Sequence, residues 1–489
     1  MVKNINRDKN DIFSMFILKT IFKNQIFIKT VQVLTFGLFI YAITFGFINP
    51  EKKDNLFTTA VFWSLFWPFF MVVSLSTFGR IFCGICPHAF IGKFITKIGL
   101  KKKMPKNLAN PFIGVFLLVI GWWLTYYLYP GLFKTPYMSA VFFLVLTLVA
   151  ILFYFIYDEM AYCKNICPIG TMTKAFSIVS FTKLETYTDN CKSCKTFECA
   201  SACSYNLKPF TFAKKNSMDD CTLCMDCTKA CDAISFKIIK PSSKSFKNFK
   251  TKKVEVWAII LITAVISLTM SFHHALGRSA IVEDFFWVKT ARYFESFINF
   301  GTIDAIGFFA VLYAVLIAII LSTIGMFIAS KIMNVPYEKV FYTLGYAFAP
   351  LFIIGGLSHI GEFFFYSYAS NIFNGFNQAF ALGYENIKPL ATRRDSWVHI
   401  FALFSHLGYI WAFVLMVKRL KLIDAKKHLK FIAFPFASLL IIFYMALNFY
   451  TGYVFKTYGA KKSGHNHSSL ELKIIKEINN GYRIFKELS

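Results

Sequence analysis

Little of this sequence is charged: 16% of its 489 residues are Asp, Glu, Lys or Arg, against 56% hydrophobic, with Phe alone contributing 60. A soluble domain of this size needs far more charge at its surface, so that class is excluded. Acidic residues are scarcer than basic ones, 26 against 53, which leaves a formal net charge of +27. Concentrated on one soluble face, that excess would suggest nucleic acid. Here the lysines fall in short stretches between apolar runs, such as Lys101, Lys102 and Lys103, or Lys247, Lys250, Lys252 and Lys253. That is the positive-inside pattern of a membrane protein, and no nucleic-acid partner is expected. A cleavable secretory signal is also missing: the first residues are charged, and the first long apolar run begins near Val33 and continues as an ordinary span. Cysteine is absent after Cys231.

The apolar residues come in runs near membrane-spanning length. About nine spans are expected, at roughly 33–49, 57–76, 111–129, 138–157, 254–272, 304–329, 340–364, 397–417 and 431–453. Residues 11–30 mix Phe and Ile with Lys19, Lys23 and Lys29 and read as a helix lying at the interface. The fold class is mainly α: a polytopic helical membrane protein with an inserted small α+β, two-cluster ferredoxin-like domain. The expected domains are a cytoplasmic or interfacial N-terminus (1–32), a four-span bundle (33–157), the ferredoxin-like domain (158–253), a five-span bundle (254–453) and a tail (454–489). The Lys-rich loops place the inserted domain on the cytoplasmic side of a bacterial cell inner membrane.

All twelve cysteines lie between Cys83 and Cys231, in four motifs. The fourth, Cys221, Cys224, Cys227 and Cys231, has the spacing C-x₂-C-x₂-C-x₃-C. In bacterial ferredoxins that run gives three thiolates to one cubane and the fourth to its neighbour. The third motif, Cys191, Cys194, Cys199 and Cys203, is the same pattern with a longer loop. Crossing over the fourth ligands assigns Cys191, Cys194, Cys199 and Cys231 to one [4Fe–4S] cluster. Cys203, Cys221, Cys224 and Cys227 then hold the second. Structural zinc usually pairs two C-x₂-C knuckles across a longer loop, and disulfides are disfavoured in a reducing cytoplasm.

The first two motifs are Cys83-Gly-Ile-Cys86-Pro87 and Cys163-Lys-Asn-Ile-Cys167-Pro168, each soon after an even-numbered span. A proline after the second cysteine suits the first turn of a helix, which would set that thiol at a helix N-terminus and lower its pKa. Such thiols could relay electrons, bind a metal or shape a quinol pocket; inert structural turns are the plainer alternative.

With these motifs together, residues 30–240 resemble the NapH/NosR/CcoG membrane polyferredoxins. The matching stretches are Gly79-Arg80-Ile81-Phe82-Cys83-Gly84-Ile85-Cys86-Pro87 and Cys163-Lys164-Asn165-Ile166-Cys167-Pro168-Ile169-Gly170, followed by the paired ferredoxin runs. The family motif is C-x₃-C-P, and the first copy here is one residue shorter. The resemblance implies electron transfer linking the quinone pool or a cytoplasmic donor to a periplasmic or membrane redox partner protein. A copper or iron reductase of the CcoG type, or a redox-sensing or assembly role, is the alternative.

The last five spans hold His273, His274, His359, His399 and His406. Ionisable residues inside a membrane are costly and often functional. His359, Glu362, His399 and His406 are candidates for a haem b or quinone site, His399 and His406 by their two-turn spacing; interfacial hydrogen bonding is the plainer reading. Arg393, Arg394 and Asp395, just outside the eighth span, could bind a headgroup or propionate, and His465 and His467 a metal. Gly355 and Gly356 suit close helix packing or room for a cofactor.

Overall fold

The computed structural model describes residues 5–192, 194–212, 220–393 and 395–461. Arg394, His465 and His467 lie outside the described residues. Among the described residues, eight helices are long and apolar enough to cross a membrane: Gln25–Ile48, Phe57–Thr77, Pro136–Ile156, Lys253–Arg278, Ala305–Met333, Tyr337–Ala379, Ser396–Leu420 and Leu439–Tyr458. A further apolar helix, Phe112–Leu128, is shorter, at the lower end of what a bilayer core requires.

Several ends differ from those expected, for local reasons. The first helix starts at Gln25 rather than near Val33, because Lys29 interrupts an apolar run without interrupting a helix. The fifth runs on to Arg278, so His273 and His274 lie within it rather than at its end. The last begins at Leu439, not near residue 431: Pro435 sits inside the separate helix Lys427–Ala437, which stops two residues later.

Internal contacts gather the chain into two compact units, residues 1–42, 65–115 and 143–258, and residues 43–64, 116–142 and 259 onward. The first unit contains the two strands found among the described residues, β1 (Thr182–Thr186) and β2 (Ile234–Ile238). They pair antiparallel, from Thr182 opposite Ile238 to Thr186 opposite Ile234. The pair closes the ends of the segment that carries eight of the cysteines. Leu184, Phe212, Met225, Ile234 and Phe236 form its core.

Part of the N-terminal stretch joins that core. Ile12, Phe13 and Ile28 are buried against Leu184, Cys199 and Phe236. Asp11 bridges to Lys237 beside β2, and its carboxylate accepts from the backbone N–H groups of Phe13 at 3.1 Å and Phe236 at 3.2 Å. Arg7 and Lys23 close on the other end of the segment, Arg7 through the Asp232 carbonyl at 2.8 Å and Lys23 through its carboxylate at 2.5 Å. The apolar residues of this stretch therefore divide between two faces. Phe16, 82% exposed, and Ile17 and Ile26 remain on the outer one.

In the second unit Gly355 sits where backbones approach: a Cβ added at Gly408 would fall 3.0 Å from Gly355 N, and one at Gly355 would fall 2.8 Å from the Tyr444 hydroxyl. Packing, not room for a cofactor, explains it. Asp304 caps the helix Ala305–Met333 by accepting from Gly307 N–H at 2.9 Å.

Candidate metal centre

The two long cysteine motifs fold as two equivalent turns. Phe197 and Met225, both with left-handed backbone, precede the short helices Glu198–Ser201 and Asp226–Ala230. Cys199 and Cys227 are the second residues of those helices, and Cys203 and Cys231 follow their ends. The repeat explains how one spacing pattern, used twice, presents ligands symmetrically.

A single cavity is lined by Cys203, Cys221, Cys224 and Cys227, the four residues expected to share one cluster. Leu184, Leu207, Pro209, Phe212 and Met225 supply apolar walls. Two hydroxyls on the same lining, Tyr205 Oη and Thr222 Oγ1, are buried without a hydrogen-bond partner. Buried orphan donors call for an explanation, and sulfides of a bound cluster would accept from them. The donor set, the cavity and the orphan hydroxyls fit a [4Fe–4S] cluster. No group of three or more His, Cys, Asp or Glu among the described residues is gathered as one metal ion would need. Ligands of a cubane bond four different irons and so stand further apart than ligands of one ion.

The other four expected ligands are also neighbours. The thiols of Cys199 and Cys231 are neighbours, and chiefly through one another Cys231 is held below the usual thiol value and Cys199 pushed above it. Cys191 is raised by burial and then by Cys231 and Cys194 beside it.

The C-P motifs behave differently from expectation in one respect. Pro87 and Pro168 do open helices, Pro87–Ile98 and Pro168–Phe176, with Cys86 and Cys167 at their N-caps. Cys167 Sγ accepts from Gly170 N–H at 3.3 Å. Yet neither thiol is lowered: burial pushes Cys86 well up and Cys167 up to about 12, with neighbouring thiols adding to both. Desolvation outweighs the helix terminus here.

These four thiols also share one neighbourhood. Thr173 Oγ1 lies 3.3 Å from Cys83 Sγ and accepts from Arg80 Nε at 3.2 Å. Cys163 Sγ meets the Tyr154 hydroxyl at 2.9 Å. Cys83, Cys163 and Cys167 are all close enough to act on Cys86.

A family model described as a 4Fe-4S binding domain matches residues 59–106 and 139–182. The match supports an iron–sulfur protein of the ferredoxin type, with the matched segments set among membrane-length helices. The matched segments hold Cys83, Cys86, Cys163 and Cys167 and end before Cys191. Two curated relatives are uncharacterized proteins of Methanocaldococcus jannaschii. One is 28% identical over 239 residues, covering 45% of this chain and 94% of the relative. The other is 26% identical over 242 residues, covering 47% and 89%. No solved structure gives a significant match.

The histidines of the second unit are divided. Ser396–Ala402 winds as a 3₁₀ helix before the α-helix Leu403–Leu420, so the two-turn register between His399 and His406 does not hold. His406 Nδ1 bonds the Tyr409 hydroxyl, and His359 stacks on Phe363 at 4.0 Å. Gly361 lies against the Phe401 ring, so Glu362 and His399 sit on touching segments. Sequence reasoning missed a hydrogen-bonded chain: Tyr126 OH to His274 Nε2 at 3.2 Å, His274 Nδ1 to His273 Nδ1 at 2.9 Å, and His273 Nε2 to Asp304 at 3.2 Å. One assignment satisfies every link: Tyr126 donates to His274, His274 to His273, and His273 to the carboxylate. The participants lie 31 and 148 positions apart, so no spacing signal announces them. Asp304→Ala should cost about 2–3 kcal/mol, from the lost N-cap and an unpaired buried His273 N–H. A fall in the unfolding midpoint in detergent, smaller for Asp304→Asn, checks this.

Proposed function

We propose that the chain transfers electrons at a cell membrane through two [4Fe–4S] clusters. Cys191, Cys194, Cys199 and Cys231 hold one, and Cys203, Cys221, Cys224 and Cys227 the other. The cavity lined by the last four, with its two orphan hydroxyls, is the observation that carries this reading. Each cluster, when bound, accepts and releases one electron. The protein's own part is ligation, exclusion of water by the apolar walls, and hydrogen bonding from Tyr205 and Thr222 that stabilises added negative charge.

The cysteine segment, bracketed by β1 and β2, forms the ferredoxin-like domain, on the side marked by the Lys-rich loops. All nine apolar helices cross the membrane. Lys192, Lys195 and Lys229 are exposed near the Cys191 cluster and suit an acidic soluble redox partner. Quinone is the membrane-side partner, in the manner the NapH/NosR resemblance implies. Glu362 and His399, on touching segments, provide proton acceptors for a quinol. Haem has less in its favour: the 3₁₀ helix Ser396–Ala402 ahead of Leu403–Leu420 breaks the two-turn register between His399 and His406. A water-soluble quinone analogue added to dithionite-reduced protein in liposomes should restore the bleached cluster absorbance. Absorbance that stays bleached would remove quinone as partner. Direct reoxidation by Cu(II) or Fe(III) instead would favour a metal reductase.

A further inference from the structure

We infer that Tyr126, His274, His273 and Asp304 form a proton relay, which brings protons from water to the site where Glu362 and His399 serve a quinone. The inference rests on the quinone reading above and gives that reaction its proton supply.

The chemistry of the members is the first argument. Every link lies at hydrogen-bond distance: 3.2 Å from Tyr126 to His274, 2.9 Å between the imidazoles, and 3.2 Å from His273 to Asp304. Both ring nitrogens of each histidine are links, so each ring can take a proton on one side and release one from the other. A brace between helices needs only donors and acceptors, which Ser, Asn or Gln provide. Here every member also exchanges a proton. Ionisable groups at membrane depth are costly, and chains of them mark proton pathways.

Local winding is the second. Neighbouring side chains on an α-helix diverge. The span Lys253–Arg278 winds as a π-helix over Met270–Ala275, and its larger number of residues per turn narrows the angle between His273 and His274. Such segments are rare and gather at functional sites. The Tyr127 ring lies against both imidazoles, 5.6 and 5.7 Å between centroids, and closes their flank.

The two ends are the third. Asp304 precedes the helix Ala305–Met333, and its side chain is 10% exposed against 4% for His273, so Asp304 is the end open to water. At the other end Tyr126 has Tyr368 as an electrostatic neighbour, on the helix that carries Glu362. Arg278 acts on both Tyr126 and His359, and Arg393 on both His359 and Glu362. The relay therefore runs from solvent toward the candidate quinone site.

A quinone becomes a quinol by taking up two electrons and two protons; the iron–sulfur centres of the proposed function supply the electrons. With Asp304 protonated, the donors run from Asp304 to Tyr126. One passage moves the Asp304 proton to His273 Nε2 and the His273 Nδ1 proton to His274 Nδ1. The His274 Nε2 proton goes to the Tyr126 oxygen, and the Tyr126 proton to Glu362 and on to the quinone. Asp304 then regains a proton from water, while the hydroxyl turns and both imidazoles change tautomer. A second passage completes the quinol.

The test uses the full chain in liposomes, reduced by dithionite, freed of its excess and reoxidised by a water-soluble quinone analogue or by ferricyanide, which takes an electron without a proton. Asp304→Asn keeps an oxygen for the Gly307 and His273 N–H groups but accepts no proton. Tyr126→Phe keeps the ring, removes the hydroxyl and stands in should the first variant fail to fold. Each should slow quinone-driven reoxidation about a hundredfold and leave the ferricyanide rate unchanged. Nitrogen-15 solid-state NMR of the oxidised, histidine-labelled chain reads the relay without turnover: both histidines should exchange between tautomers in wild type and be locked in one by Asp304→Asn. Unchanged quinone rates, equal slowing with both oxidants, or static tautomers in wild type would overturn the relay and leave quinone as partner. A wild type that the quinone analogue cannot reoxidise would overturn both.

Discussion

Replacing Cys221 and Cys224 together by serine should remove about four irons from the chain and abolish electron flux through it. These residues line one cavity with Cys203 and Cys227, so the substitution removes two of four ligands from a single centre. Serine preserves the volume but is a poor ligand for iron–sulfur clusters. The proposal gives the neighbouring Cys199 and Cys231 to the other centre, whose signal should survive, shifted from an interacting to an isolated EPR spectrum. Flux from dithionite to quinone analogue in liposomes checks the functional half, and unimpaired flux would count against the relay.

Asp11→Ala should be the most damaging substitution that touches no cysteine. Asp11 is 1% exposed, receives hydrogen bonds from Phe13 N–H, Phe236 N–H and the Tyr187 hydroxyl at 3.1 Å, and pairs with Arg7 at 2.7 Å. Its removal leaves the Phe13 and Phe236 N–H groups without this acceptor and Arg7 without its carboxylate partner, for a loss of about 3–5 kcal/mol in the cysteine-bearing segment. The N-terminal stretch then loosens from β2, and the Cys231–Asp232 end it covers opens to oxygen. Cluster absorbance in air should decay several times faster than in wild type, while Asp11→Asn, which keeps an acceptor for both backbone groups, should decay at an intermediate rate.

Asp11 also marks where sequence reasoning stops. Its partner Phe236 is 225 positions away, and nothing in the local pattern of residues 11–30 separates a strap on a soluble core from a helix on lipid. The iron–sulfur character was legible because ligation fixes cysteine spacing within a dozen residues, a pattern that needs no tertiary information. The convergence of Cys83 with Cys163 and Cys167 did need it, as did the link from Tyr126 through His274 and His273 to Asp304. Span positions were readable from apolar runs, but helix ends such as Gln25 and Leu439 depend on the backbone rather than on hydropathy. The lowered pKa expected at Cys86 and Cys167 failed because a helix N-terminus is legible in a C-P dipeptide and burial is not.

Metal analysis of the anaerobically purified full chain tests the central claim most directly. Iron and acid-labile sulfide in equal amounts, at least about eight of each per chain, with EPR signals from coupled clusters after reduction, is the predicted result. Zinc in place of iron, with no sulfide, would contradict the account.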